Sequence, residues 1–146
     1  MEKRTRPINF AGVLIIITSM LSSCNNKLAI PIKNGILLSS SSKSVNNDVN
    51  FFIRPLNSLE VKSCEKSIIQ NIFKIDGKFA VLADGEYHII YSNLEKCFVQ
   101  IGDTIKRNKV IGEIEKKKNF IDNGYLSLSI KSQGGSYIVN SKIFKK

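Results

Sequence analysis

Histidine is almost missing from this chain: 146 residues contain one, His88. An open catalytic zinc site takes three protein ligands, commonly imidazoles, so a metallohydrolase built on histidines is excluded at the level of composition. Cysteine is also scarce, with three in all, too few for a disulfide-stapled scaffold. Tryptophan is absent and proline occurs three times. Acidic residues number 12 against 22 basic ones, giving a formal net charge of +10. That imbalance points to anionic surroundings, such as lipid headgroups or wall polymers, and carries no information about fold. Long apolar runs are lacking too. The longest, Phe10 to Leu21, is about a dozen residues, short of the roughly 20 a helix needs to cross a bilayer.

What the amino terminus does have is a three-part signal. Lys3, Arg4 and Arg6 form a positive region, Phe10 to Leu21 an apolar one, and Leu21-Ser22-Ser23-Cys24 resembles a bacterial lipobox. The expectation is a lipoprotein signal peptide over residues 1–23, with Cys24 acylated (palmitate among the lipids) after cleavage. Removal of that segment takes away three basic and one acidic side chain and leaves +8. Export to the periplasmic side of a bacterial envelope, anchored to a membrane through that lipid, follows from this reading. It also argues against nucleic acid as a partner.

Residues 24–46 read as a tether. Asn25-Asn26-Lys27, Pro31 and the Ser39–Ser44 run bury too little apolar surface to offset chain entropy. Leu28 to Leu38 is apolar enough for a stray edge strand or a partly ordered segment lying on the domain. From residue 47 to 146 the pattern is β. Phe51-Phe52-Ile53 runs into Pro55, predicting an edge or a strand end. Val61, Ile68-Ile69 and Ile72-Phe73 are further β-rich patches, and Asp76-Gly77 predicts a hairpin between Ile75 and Phe79. Phe79 and Val81, then Tyr87, Ile89 and Tyr91, alternate around a turn at Gly85. Two short apolar strands flank Gly102-Asp103 and the polar 106–109 segment, with Gly102 expected at positive φ. Turns are also expected at 122–124 and 134–135. The predicted class is all-β, a small sandwich or barrel of short antiparallel strands with almost no helix.

The run Tyr91-Ser-Asn93-Leu94, then Val99-Gln-Ile-Gly102-Asp103-Thr-Ile105 and Ile111-Gly112, resembles the β-sheet core of the LytM/lysostaphin-like zinc peptidases. That family shows Tyr-x-His-Leu, Val-x-x-Gly-Asp-x-Val and Ile-Gly in this order. Tyr125-Leu-Ser-Leu-Ser-Ile130 occupies the place of its His-x-His-Phe-Glu-Ile, and Ile138-Val-Asn140 is similar to its closing Val-Asn-Pro. The resemblance covers residues 47–144 and implies a barrel-sandwich hybrid and an ancestry in cell-wall cleavage. In the family, a His and an Asp four residues later bind zinc with the second His of His-x-His. The first His of that pair and the one in Tyr-x-His-Leu act on the water and the transition state.

Transferred to this chain, the pattern places Asp48 at the first ligand, Phe52 at the aspartate, Asn93 at the Tyr-x-His-Leu histidine, and Tyr125 and Ser127 at His-x-His. The resemblance therefore implies a degenerate member: no catalytic residue, no metal, no cofactor. His88, beside Tyr87 on a predicted strand, reads as a solvent-facing residue. Cys64 and Cys97 are the pair available for a disulfide in an exported domain, with free buried thiols as the alternative. Tyr87, Tyr91, Tyr125 and Tyr137 either line the old substrate groove or are ordinary strand aromatics. The segment from Val99 through Lys116, Lys117 and Lys118 is also similar to biotinyl and lipoyl carriers, whose modified lysine follows such a run. The lipobox speaks against that reading, since carriers serve intracellular enzymes. The expected function is a non-catalytic envelope domain that binds peptidoglycan or regulates or scaffolds a wall hydrolase; a zinc peptidase with an atypical site is the remaining alternative.

Overall fold

A computed structural model describes residues 27–43, 48–117, 124–132 and residue 144. The turns expected at 122–124 and 134–135 and the cleavage region around Cys24 fall wholly or largely outside these residues. Among the described residues there is no helix, and nine strands make up one antiparallel sheet. They are β1 (Ile36–Lys43), β2 (Asp48–Arg54), β3 (Glu60–Lys62), β4 (Ser67–Ile75), β5 (Lys78–Asp84), β6 (Tyr87–Cys97), β7 (Thr104–Ile105), β8 (Val110–Ile114) and β9 (Leu126–Ser132). The main path runs β1-β2-β9-β6-β5-β4-β7, and β8 pairs with both β6 and β3.

Period-2 patterning determines which face is buried. Along β9, Leu126, Leu128 and Ile130 turn inward, while Ser127 and Ser129 are half-buried on the other face and Lys131 is exposed. Val49, Phe51 and Ile53 do the same on β2, and Ile89 and Tyr91 on β6. These residues join Val61, Leu94, Ile111 and Ile114 in a single core. Each large side chain so buried is worth roughly 1.5–3 kcal/mol relative to exposure.

β6 is the organising strand. It pairs with β9 from Tyr87 to Ser92 and with β8 from Leu94 onward, so it changes neighbours at Asn93. Asn93 sits there at φ 71°, a left-handed conformation that asparagine tolerates better than most residues. The hairpin at Asp76-Gly77 forms with both residues at positive φ, 50° and 80°, and Gly102 lies at 90° as its position in the sequence predicts.

Two expectations need correcting, for the segment before residue 47 and for the strands around Gly102. Residues 28–43 are not simply tether: Leu28 and Ile32 are buried in the core, Ala29 N–H donates to the Cys64 carbonyl at 2.8 Å, and β1 pairs along β2. The serine run lacks apolar side chains, but an antiparallel ladder needs only backbone groups. The strand end expected at Pro55 is where β2 stops, at Arg54, while β1 covers the outer edge of β2. Of the two short strands expected to flank Gly102-Asp103 and the 106–109 segment, none forms over residues 99–101; the two-residue β7 follows Gly102, and β8 is the second. Of the two readings left open for Cys64 and Cys97, the structure holds both as free thiols. Cys64 is fully buried, its amide donates to the Tyr91 hydroxyl at 2.9 Å, and burial pushes its thiol up to about 12. Cys97 stands at the end of β6 opposite Gly112, with its Sγ directed to the Val99 carbonyl at 3.5 Å.

Candidate functional site

Three neighbouring strands, β2, β9 and β6, present their outward residues in register. Phe52 faces Ser127, and Ser127 faces Ser92; one row along, Asn50 faces Ser129, and Ser129 faces Ile90. At the open end of the first row, Tyr125 immediately precedes β9. Its ring meets that of Phe52 edge to face, with centroids 5.7 Å apart. Its carbonyl accepts a 2.7 Å hydrogen bond from Asn93 Nδ2. The sheet thus brings Phe52, Asn93, Tyr125 and Ser127 to one place. Tyr125 is the outermost, 45% exposed, and the other three are half-buried.

Asp48 is not part of this cluster. It pairs with Lys131, two rows from the Phe52–Ser127 pair. A regular strand puts residues 48 and 52 roughly 13 Å apart, too far for both to reach one metal ion. Sequence spacing alone hid this, because four residues along a loop and four along a strand span different distances.

The four clustered residues do not fit zinc. They offer a phenyl ring, a primary amide already committed to a carbonyl, and two neutral hydroxyls, where the metal calls for imidazole, thiolate or carboxylate. Among the described residues no three His, Cys, Asp or Glu side chains come together as a ligand set. His88 lies elsewhere, on the hairpin that joins β5 to β6, with Nδ1 2.9 Å from the Asp84 carboxylate and its side chain 44% exposed. Lys116 and Lys117 follow β8 on exposed chain, and Lys118 lies outside the described residues. What the cluster provides is a polar floor of serine and asparagine groups with an aromatic wall at one end. Hydroxyls and amides recognise neutral hydrogen-bonding groups, and an exposed aromatic face stacks on sugar rings or apolar side chains.

Sequence reasoning singled out these residues through their motif spacing, but missed Ser92 and Ser129, which extend the floor in two successive rows. A strict alternation of serine with leucine in Leu126–Ile130 was the available signal.

Comparison with solved structures identifies the fold. A chain of the SpoIIQ–SpoIIIAH pore-forming complex superposes with a TM-score of 0.59 at 16% identity, over 75% of this chain and 85% of that one. A zinc-containing peptidase from Vibrio cholerae gives 0.52 at 16% identity, over 73% of this chain and 37% of its own length. A Pseudomonas aeruginosa protein assigned to peptidase M23 gives 0.52 at 14% identity, over 87% and 58%. The chain therefore spans well under two thirds of each of these two bacterial proteins. No protein-family pattern and no curated protein matches the sequence. The likeness to LytM-type peptidases read from the strand motifs is thus present at the level of fold.

Proposed function

We propose that this chain is a non-catalytic, peptidase-derived domain of the bacterial cell envelope, held at a membrane by a lipid on Cys24, which binds peptidoglycan through the β2–β9–β6 outer face. The observation that carries this reading is the clustering of Phe52, Asn93, Tyr125 and Ser127, where a peptidase fold is joined to side chains suited to hydrogen bonding and stacking instead of metal ligation. A sheet face of this chemistry retains the means to hold a glycan or peptide without the means to activate water. A second reading is that the domain scaffolds or regulates another protein, such as a wall hydrolase. It is favoured by the likeness to a chain from the SpoIIQ–SpoIIIAH complex, in which the fold participates in an assembly.

Elemental analysis and co-sedimentation with purified sacculi test the proposal. The expected result is less than stoichiometric zinc, no dye release from labelled sacculi, and binding that Tyr125→Ala weakens roughly tenfold by removing the exposed ring. One tightly held zinc per chain, with cleavage abolished by a chelator, would overturn it. Absence of sacculus binding combined with specific recovery of a crosslinked hydrolase from cells would favour the scaffolding reading.

A further inference from the structure

Away from the β2–β9–β6 face, the amino-terminal segment borders an open depression. Residues 29–31 are fastened to the 62–64 region, which is itself tied to the turn at 107–109: Lys62 N–H donates to the Pro31 carbonyl at 2.7 Å, Asn108 N–H to the Ser63 carbonyl at 2.9 Å, and Ser63 N–H to the Lys109 carbonyl at 2.8 Å. Two asparagines at positive φ, Asn34 at 56° and Asn108 at 67°, turn the chain on either side. The open depression there, about 370 Å³, is lined by Lys33, Lys62 and Arg107 together with those asparagines, Ala29 and Ile30, and by no acidic residue. Among the described residues, none of the three cations makes a salt bridge. Arg107 also borders an adjoining cavity lined by Lys27, Glu65 and Glu86, and its charge favours the ionised form of Glu65 there.

The surroundings of the open depression are apolar. Ile30 on its wall is 42% exposed, and β1 opens just beyond Asn34 with Leu37 and Leu38, 42% and 50% exposed. Cations beside unpaired aliphatic side chains match the boundary of a bilayer, where phosphates lie next to acyl chains. A soluble anionic glycopolymer would use the cations and leave the aliphatic groups without a role. Position agrees: Lys27 is three residues from Cys24, a reach of at most roughly 11 Å.

We infer that this face docks on an anionic membrane, seating the phosphate of an acidic phospholipid headgroup among Lys33, Lys62 and Arg107 while Ile30 and the start of β1 rest against the headgroup–acyl boundary. The lipid on Cys24 would then hold a surface that already recognises the bilayer, leaving the domain in one orientation. The inference draws on the proposed anchor for orientation only, and its test uses unlipidated protein, so the two fail separately.

The probe is co-sedimentation with vesicles. The chain from residue 24 onward carrying Cys24→Ser keeps every described strand and core residue and has no lipid. It is expected to bind vesicles of equimolar phosphatidylglycerol and phosphatidylcholine, to ignore pure phosphatidylcholine, and to lose binding as salt rises. Neutralising Lys33, Lys62 and Arg107 to Gln should weaken binding about fivefold per cation and on the order of a hundredfold together. Neutralising Lys74, Lys96 and Lys131, which removes the same charge elsewhere, should cost far less. Ile30→Ser should weaken binding to the anionic vesicles without altering the melting temperature. Equal losses from the two triple variants would reduce the effect to net charge and overturn the site. So would binding to an isolated anionic wall polymer, dependent on the same three cations, without any binding to vesicles.

Discussion

Glu65 follows Cys64 in the segment joining β3 to β4, its Oε1 accepting the Tyr87 amide at 2.9 Å. Burial, with Glu86 and Asp84 adding to it against the hydrogen bond from Tyr87, raises its carboxyl from 4.5 to about 7. A carboxyl whose folded value is raised binds its proton more tightly in the folded state. Its contribution to stability is therefore complete below pH 4.5 and is lost as pH climbs toward 7. Glu65→Gln keeps an acceptor for Tyr87 and removes the titration. Thermal melts of the two proteins across pH 4 to 8 should show the wild type losing stability relative to Glu65→Gln over that window; parallel curves would refute the assignment. The sequence marks Glu65 as one acidic residue among 12 and nothing more. Its environment comes from Lys66, Tyr87 and Glu86 being folded around one corner. Asn93 is similar: its motif position was legible, whereas its φ of 71° follows from β6 exchanging β9 for β8.

Among the elements, β8 is the most constrained by close approach. Gly112 pairs with Val61 on one side and Cys97 on the other, and a Cβ there would stand 2.3 Å from the Lys96 carbonyl oxygen and 3.1 Å from Leu94 Cδ1. Backbone cannot yield as a flexible side chain can. Gly112→Ala is expected to open the β6–β8 ladder and to cost about 3 kcal/mol or more, read as a large fall in denaturation midpoint with accelerated amide exchange in β6 and β8. A midpoint shift below about 1 kcal/mol would show that the strands separate easily. The Ile111-Gly112 pair was visible as a motif, but the reason for its glycine lies in a strand distant in sequence. β1 teaches the converse. Its serines read as unstructured polar chain, yet their backbone groups complete the ladder along β2.

At the scale of the whole molecule, the basic excess is distributed unevenly in function. Some cations are neutralised locally: Lys78 bridges Glu95 and Glu115, and Lys96 pairs with Glu113. Others, Lys33, Lys62 and Arg107, line a depression that holds no acidic residue, although Arg107 also borders Glu65 and Glu86 on its other side. The anchor itself is tested in cells. Cys24→Ala should shift the protein from the membrane fraction toward the soluble one, leaving the weaker, salt-sensitive attachment expected of the cation face alone, because an acyl chain contributes on the order of 0.8 kcal/mol per buried methylene. Full, salt-resistant retention of that variant after normal cleavage would sink the lipoprotein reading.

The sequence by itself determined the class of fold and the shortage of imidazole ligands. Alternation in Tyr87–Tyr91 and Leu126–Ile130, turn chemistry at Asp76-Gly77 and Gly102, and the count of one histidine are local or compositional, and each needs only a short stretch of chain to be read. Tertiary structure alone decided which residues meet. It put Phe52, Asn93, Tyr125 and Ser127 on one face and left Asp48 two rows away, kept Cys64 and Cys97 unbonded, and folded residues 28–43 into the core and sheet. The physical reason is that side-chain chemistry is written in single positions, whereas strand pairing is an agreement among backbones far apart in sequence, and register, burial and reach follow from that pairing.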